Sequence, residues 1–191
     1  MKNSMQYNKI TSKPTLILDL DQTMIFASKT VLDDMEPSSI FLDSAGGAIY
    51  IYVRPYAEFF LEHLHNVYEL IVFTSGKKEY AEHIVSTIDP NGQYIKAIYS
   101  REHCTNVQNF FVKDLDILDL DLQRTVIIDD SLISFAFHID NGLLIEAWKG
   151  EARDMCLLRM TPFLKDLSSN LDIRKAIREK TTNYRYVFGT M

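Results

Sequence analysis

The stretch from Thr15 to Thr23 constrains the fold of this chain more than any other. Its first four residues, Thr15 to Leu18, are apolar or β-branched, which is typical of a short buried strand. Asp19 and Asp21 follow this strand at once. In an open α/β sheet, ligands bind beyond the carboxyl ends of the strands. The pattern therefore predicts a parallel sheet with a polar site at the end of its first strand.

Asp19 and Asp21 also point to a cation at this strand end. Two carboxylates this close repel each other, so they would not both stay ionised without a positive charge nearby. Mg²⁺ binds carboxylate, carbonyl and water oxygens and leaves room for a phosphate oxygen. The alternative is a strand followed by an ordinary turn, because Asp and Thr are common turn formers. The short motif leaves both interpretations open.

Other predicted strands end in polar residues as well. They deliver Thr74 after Tyr68–Phe73, Lys113 after Phe110–Val112, and Asp129 with Asp130 after Arg124–Ile128. Because parallel strands place their carboxyl ends along one edge of a sheet, we expect these side chains to converge. Phosphoryl transfer needs a nucleophile, a cation, donors for the phosphoryl oxygens and a proton shuttle, and this set supplies all four. Taken singly, the threonine and aspartates could instead cap helices, and the lysine could be solvated.

Strands that alternate with helical patterns predict an α/β fold with a doubly wound parallel sheet. A short β-hairpin is predicted after the first strand, with arms Ile40–Leu42 and Ala48–Val53, whereas Met24–Pro37 is predicted as a solvated loop. Helices are predicted after Arg54-Pro55, over Lys77–Ile88, after Ser131 through Phe137, and within residues 151–180.

Length and composition predict one compact domain. We divide the 191 residues into a flexible N-terminal segment, residues 1–14, and a single domain, residues 15–191. The net charge of −6 argues against broad nucleic-acid binding. No apolar run approaches the ~20 residues that span a bilayer, so no membrane association is expected. Two distant cysteines and the lack of a secretory signal favour a nuclear or cytoplasmic location.

The polar strand ends resemble the four motifs of the haloacid dehalogenase superfamily in order and spacing. Within that superfamily, residues 15–148 resemble the FCP/SCP phosphatases, which act on the C-terminal domain of RNA polymerase II. The matching segments are Val53-Arg-Pro55, Phe73-Thr-Ser-Gly76, Tyr80, Arg101-Glu102 and Phe111-Val-Lys-Asp-Leu115. Gln22, Asp89-Pro-Asn-Gly92 and Asp129-Asp130 are closer to the larger FCP branch, and Lys113-Asp-Leu115 to the small branch. The sequence leaves the branch open.

The resemblance implies a role for each residue at the site. Asp19 would attack phosphorus to form an aspartyl-phosphate, and Asp21 would act as general acid and then general base. Thr74 and Lys113 would hold the phosphoryl oxygens. Mg²⁺ would be the cofactor, bound by Asp19, the backbone carbonyl of Asp21 and Asp130, with Asp129 nearby.

The predicted substrate is a phosphorylated protein or peptide. The chain has no insertion long enough for a large lid, and an open crevice beside a hairpin suits a peptide such as a Ser-Pro repeat. The candidate substrate-binding residues are Thr23, Tyr80 and Arg101. Tyr80 and the hairpin aromatics Phe41, Tyr50 and Tyr52 are candidates to hold a proline. Arg101 could contact a substrate phosphate or form a structural pair with a carboxylate.

Two other functions fit the same scaffold. One is a phosphatase for small metabolites, and the other is a module that binds phosphopeptides or presequences without catalysis. The intact set of Asp19, Asp21, Lys113 and Asp129 argues against lost catalysis.

Overall fold

The computed structural model describes residues 13–181. The predicted flexible segment 1–14 therefore lies almost wholly outside the described residues, as does the end of the predicted domain. The strands of the described part are β1 (Thr15–Leu18), β2 (Ile25–Ser28), β3 (Ser39–Leu42), β4 (Ala48–Val53), β5 (Glu69–Phe73), β6 (Ile95–Tyr99), β7 (Thr105–Val107), β8 (Phe110–Val112), β9 (Thr125–Asp129) and β10 (Gly142–Leu144). Its α-helices are α1 (Ala57–Leu64), α2 (Lys78–Ile88), α3 (Cys156–Ser168) and α4 (Ile173–Thr181).

A five-stranded sheet forms the centre of the fold, in the order β10-β9-β1-β5-β6. Every pairing in this sheet is parallel, which confirms the predicted α/β architecture. Strand β1 lies in the middle, and Thr15 is in register with Glu69 on one side and Thr125 on the other. This register brings the carboxyl ends of β1, β5 and β9 to the same edge of the sheet.

The two faces of the sheet are covered by different kinds of helix. Leu16 and Leu18 belong to a core that includes buried residues of all four α-helices. Ile17 points to the opposite face, because side chains alternate along a strand. There it joins a smaller core with Leu118 and Phe135, which come from 3-10 helices.

The apolar helix predicted after Ser131 is wrong in type. The segment Leu132–Asn141 forms 3-10 turns that are interrupted by non-helical backbone at Phe135 and His138. The ring of Phe135 lies against Gly142, where an added Cβ would come within 2.0 Å of it. Apolar composition suggested a helix, but the chain bends to put one aromatic ring into the core.

The predicted hairpin is present and is one strand larger than expected. Strands β3 and β4 pair antiparallel, and Gly46 adopts a positive φ of 80° at the turn between them. The segment Met24–Pro37 is only partly a loop, because its strand β2 pairs with β4 and completes a three-stranded sheet. A four-residue strand whose partner lies more than 20 residues away leaves little periodic signal in sequence.

Lys113 does follow a strand, but that strand is not part of the central sheet. Strand β8 pairs antiparallel with β7 in a separate two-stranded ribbon. The ribbon is held against the segment after β9, since the backbone N–H of Lys113 donates to the Ser134 carbonyl at 2.6 Å. Lys113 therefore reaches the site from beside the sheet.

Candidate active site

A tight backbone turn after β1 holds the first pair of acids. The carbonyl of Leu20 accepts hydrogen bonds from the backbone N–H groups of Met24 at 2.8 Å and Ile25 at 3.0 Å. Gln22 adopts a left-handed conformation with a φ of 62°, which is uncommon for a residue other than glycine. Leu20 is fully buried between Asp19 and Asp21. The turn therefore anchors both acids at the end of the central strand.

Lys113 bridges two acids that come from different strand ends. Its Nζ donates to Asp19 Oδ1 at 2.6 Å and to Asp129 Oδ2 at 2.6 Å. All three side chains are buried. The other oxygen of Asp129 accepts from the backbone N–H of Ser131 at 2.8 Å, which fixes its orientation. The structure thus brings together Asp19, Lys113 and Asp129, three of the residues that the sequence predicted to converge.

Burial and the charges of neighbouring groups shift the pKa values of three members of this cluster. Burial raises the pKa of Asp19 to about 7, even though the neighbouring Lys113 ammonium lowers it. Burial, and after it the Asp129 carboxylate, raises the pKa of Asp130. Burial lowers the pKa of Lys113, but the two bonded carboxylates outweigh this and raise it to about 12.

These acids fit a hard divalent cation. One carboxylate oxygen from each of Asp19, Asp129 and Asp130 can lie within 4.8 Å of the others. An all-oxygen set with surplus negative charge is what Mg²⁺ prefers. The Asp21 carboxylate lies outside this cluster, so its backbone carbonyl remains the predicted ligand. The residues present therefore fit the predicted metal.

Added Mg²⁺ is expected to stabilise the protein more at high pH than at low pH. Because the pKa of Asp19 is raised in the fold, the metal-free protein loses stability as pH rises from 3.8 through about 7. Mg²⁺ binds the carboxylates once they have lost their protons. The stabilisation by Mg²⁺ should therefore be largest above this pH range. At ~100 times its Kd it should add about 2.7 kcal/mol near pH 8, which is roughly 5–10 °C in Tm.

Thermal unfolding with and without Mg²⁺ at pH ~5.5 and ~8 measures this difference. The variant Asp130→Asn provides the control, since it should lose most of the Mg²⁺ effect at the higher pH. An equal rise in Tm at both pH values would contradict the expectation.

Asp21 has a hydrogen-bond partner on helix α2. The hydroxyl of Tyr80 donates to Asp21 Oδ1 at 2.6 Å. Burial raises the pKa of Asp21, whereas the hydrogen bond from Tyr80 lowers it. Burial, and then the charge of Asp21, raises the pKa of Tyr80, so this hydroxyl remains a donor. The sequence missed this contact because it predicted an apolar role for the Tyr80 ring.

Thr74 and Thr23 are both fully buried. The Thr74 hydroxyl accepts from the backbone N–H of Gly76 at 2.9 Å, which leaves its own proton available to donate. The Thr23 hydroxyl has no hydrogen-bond partner within residues 13–181. The predicted contacts of both residues with phosphate or substrate stay predictions.

Within residues 13–181, Arg101 contacts a backbone carbonyl and an aromatic ring rather than the carboxylate that the sequence suggested as one of its two partners. Its Nε donates to the Ser75 carbonyl at 2.6 Å, and its guanidinium lies over the Phe111 ring at 4.9 Å from the centroid. Its positive charge also lowers the pKa of Asp21. The predicted contact between Arg101 and a substrate phosphate stays a prediction.

An open pocket of about 340 Å³ lies over these groups. It is lined by Asp19, Asp21, Asp129 and Asp130, together with residues that the sequence did not assign to the site: Gln22, Ser75, Asn109, Phe110, Phe111, Ser131, Ile133 and Ser134. Gln22 and Ser75 directly adjoin predicted site residues. Their position near a strand end could therefore have assigned them to the site. Phe110 and Ile133 gave no such signal.

Comparison with known proteins gives consistent matches. A model of the family described as NLI interacting factor-like phosphatase matches residues 14–174. CTD small phosphatase-like protein 2 of Dictyostelium discoideum is 35% identical over 176 residues, which cover 92% of this chain and 31% of that protein. CTD nuclear envelope phosphatase 1B of Danio rerio is 31% identical over 179 residues, which cover 89% of this chain and 73% of that protein. The chain thus spans less than a third of the Dictyostelium relative.

A solved structure has the same fold. The structure of Fcp1, described as an essential RNA polymerase II CTD phosphatase, aligns with a TM-score of 0.61 and 22% identity. The alignment covers 91% of this chain and 51% of that one.

Among residues 13–181, every helix is too short or too polar to cross a membrane.

Proposed function

This chain belongs to the NLI interacting factor-like phosphatase family, and from that premise we propose that it is a Mg²⁺-dependent phosphatase for phosphoserine and phosphothreonine in proteins. The proposal treats residues 15–191 as one phosphatase domain. The observation that carries it is the buried Lys113, whose ammonium bonds to Asp19 and Asp129 at 2.6 Å each. Burying a cluster of charged side chains costs free energy, and a stable fold does not require it. A chemical role therefore explains the cluster best.

The proposed reaction proceeds in two displacements. The Asp19 carboxylate attacks phosphorus, the bond to the leaving oxygen breaks, and Asp21 gives its proton to that oxygen. Water then attacks the phosphorus of the aspartyl-phosphate, and Asp21 takes a proton from this water. The bond between phosphorus and the Asp19 oxygen breaks. Inorganic phosphate leaves, and Asp19 is regenerated as a carboxylate.

Other groups would stabilise the phosphoryl oxygens. Lys113 and the hydroxyl of Thr74 would donate to them, and Lys113 also favours the ionised form of Asp19. Asp19, Asp130 and the Asp21 carbonyl would hold Mg²⁺, with Asp129 in support. When bound, the metal neutralises negative charge that develops on the phosphoryl group.

A phosphorylated peptide suits the shape of the pocket better than a small metabolite does. The pocket is open, and it is lined by Phe110 and Ile133, which are 53% and 46% exposed. Exposed apolar groups beside a phosphate site favour a substrate with apolar atoms next to its phosphoserine. Ser-Pro segments such as those of the RNA polymerase II C-terminal domain, named in the Fcp1 description, have this character.

Removing both apolar side chains from the pocket wall is expected to weaken action on peptides selectively. The double variant Phe110→Ser with Ile133→Ser should lower kcat/KM for a Ser-Pro phosphopeptide by about 5–10-fold, because each side chain covers part of the substrate. Hydrolysis of p-nitrophenyl phosphate, which is too small to need this wall, should change less than ~2-fold. Steady-state kinetics with both substrates measures the difference.

The matched control is Ile117→Ser, since Ile117 is 49% exposed but does not line the pocket. It should leave both substrates unaffected. An equal loss on peptide and aryl phosphate in the double variant would contradict a peptide site on this wall.

A panel of substrates distinguishes the proposed protein phosphatase from two alternative functions. A small-metabolite phosphatase would prefer sugar phosphates over phosphopeptides at equal Mg²⁺. A binding module without catalysis would bind phosphopeptides but release no phosphate. The proposed phosphatase should release phosphate from phosphopeptides only when Mg²⁺ is present.

The proposed partner is a phosphorylated protein, with neither nucleic acid nor membrane bound directly. The net charge of −6 supports the first exclusion. A nuclear or cytoplasmic location agrees with relatives that are named for the nuclear envelope and for the polymerase C-terminal domain.

A further inference from the structure

Tyr80 is held in place independently of its bond to Asp21. It lies in the first turn of α2, and its ring packs edge-to-face with the Phe41 ring at 5.3 Å between centroids. On another side, an added Cβ at Gly76 would come within 2.9 Å of the ring, so the chain leaves room for the ring only because residue 76 is glycine. A ring fixed in this way can position whatever its hydroxyl bonds.

The hydroxyl of this fixed ring bonds one oxygen of Asp21. The distance of 2.6 Å to Oδ1 is short for an O–H donor and a carboxyl acceptor, as expected for a strong hydrogen bond. With Oδ1 occupied, Oδ2 is the oxygen left to carry a proton. Asp21 lines the open pocket, so a proton on Oδ2 would be available to a substrate there.

We propose that Tyr80 is a positioning residue for the general acid, holding Asp21 by Oδ1 so that Oδ2–H faces the leaving oxygen. The inference rests on the proposed function. In the first displacement the proton moves from Asp21 Oδ2 to the leaving oxygen as its bond to phosphorus breaks. The Tyr80 proton stays on Tyr80 throughout. This role differs from the predicted apolar contact of the Tyr80 ring with proline.

The variant Tyr80→Phe tests the role, since it removes the hydroxyl and keeps the ring. Proton delivery matters most for a strongly basic leaving group such as the serine alkoxide, and little for p-nitrophenolate. We expect kcat/KM for a phosphoserine peptide to fall by about 10-fold, and that for p-nitrophenyl phosphate by less than ~3-fold. The loss should be the same for peptides with and without proline beside the phosphoserine.

Tyr68→Phe is the matched control. The Tyr68 hydroxyl donates to the Leu164 carbonyl at 2.8 Å, and it is buried in the core away from the pocket. Its removal should lower Tm without changing the ratio of kcat/KM between the two leaving groups. That ratio is therefore a measure that a purely structural role would not move.

Two results would overturn the inference: an unchanged ratio of kcat/KM between the two leaving groups in Tyr80→Phe, or a loss limited to proline-containing peptides. The last result would favour a proline pocket instead. The variant Asp19→Asn, measured in the same assays as Tyr80→Phe, distinguishes failure of the role of Tyr80 from failure of the proposed function. If wild-type protein is active and Asp19→Asn is not, only the role of Tyr80 is rejected.

Discussion

Asp19→Asn is expected to lower the rate of p-nitrophenyl phosphate hydrolysis by about 10⁴-fold or more, because the amide cannot act as the nucleophile. A substrate with a good leaving group makes the test strict, since it needs little help from the general acid. The loss should appear in kcat. Steady-state kinetics at saturating Mg²⁺ measures it.

The fold should survive this change. Asparagine has nearly the same shape as aspartate, its side-chain oxygen can still accept from Lys113, and Asp129 continues to pair with that ammonium at 2.6 Å. We therefore expect a native circular dichroism spectrum and cooperative unfolding. Asp33→Asn, at an exposed loop position, serves as the control and should keep full activity. An Asp19→Asn variant that hydrolyses the aryl phosphate near the wild-type rate would rule out this nucleophile.

Arg54→Met is expected to destabilise the protein by about 3–5 kcal/mol, because it breaks a largely buried ion pair and leaves Asp154, whose side chain is only 13% exposed, without its cation. Arg54 is 1% exposed, and its Nε and one terminal nitrogen bond both oxygens of Asp154 at 2.9 and 3.0 Å. Its other terminal nitrogen donates to the Thr23 carbonyl at 3.1 Å. One side chain therefore ties the first motif to the segment that precedes α3.

Denaturant unfolding measures the change, and Lys175→Met is its control. Lys175 pairs with Glu179 at 3.9 Å, but both side chains are well exposed, so its removal should cost no more than about 0.5 kcal/mol. Arg54→Lys keeps the charge but loses the planar fork, and we expect it to recover only part of the stability. A loss below ~1 kcal/mol in Arg54→Met would contradict the structural role given to this pair.

The parts of the fold that sequence predicted well are those set by local pattern. Strand β1 has the predicted bounds, and β5 and β9 differ from prediction only at their ends, because runs of buried apolar residues mark them. Convergence of Asp19 and Asp129 followed from the geometry of parallel strands, which requires no knowledge of side-chain contacts. Lys113 joins them from the separate antiparallel ribbon, so parallel-strand geometry does not account for its place.

The parts that sequence missed depend on contacts between distant residues. Tyr80 bonds an acid 59 positions away, and Arg54 bonds one 100 positions away. Strand β2 exists because β4 pairs with it, and the turns after β9 bend to bury Phe135. These contacts and backbone conformations are determined by tertiary packing, so local periodicity does not predict them.

The central claim is that Asp19 carries the phosphoryl group during turnover. Reaction with a phosphate-labelled substrate, stopped rapidly with acid and followed by peptide mapping, tests it most directly. The wild-type protein should carry the label on Asp19 as an acyl phosphate, and Asp19→Asn should carry none. Label on a different residue, or label that persists in Asp19→Asn, would contradict the proposed chemistry.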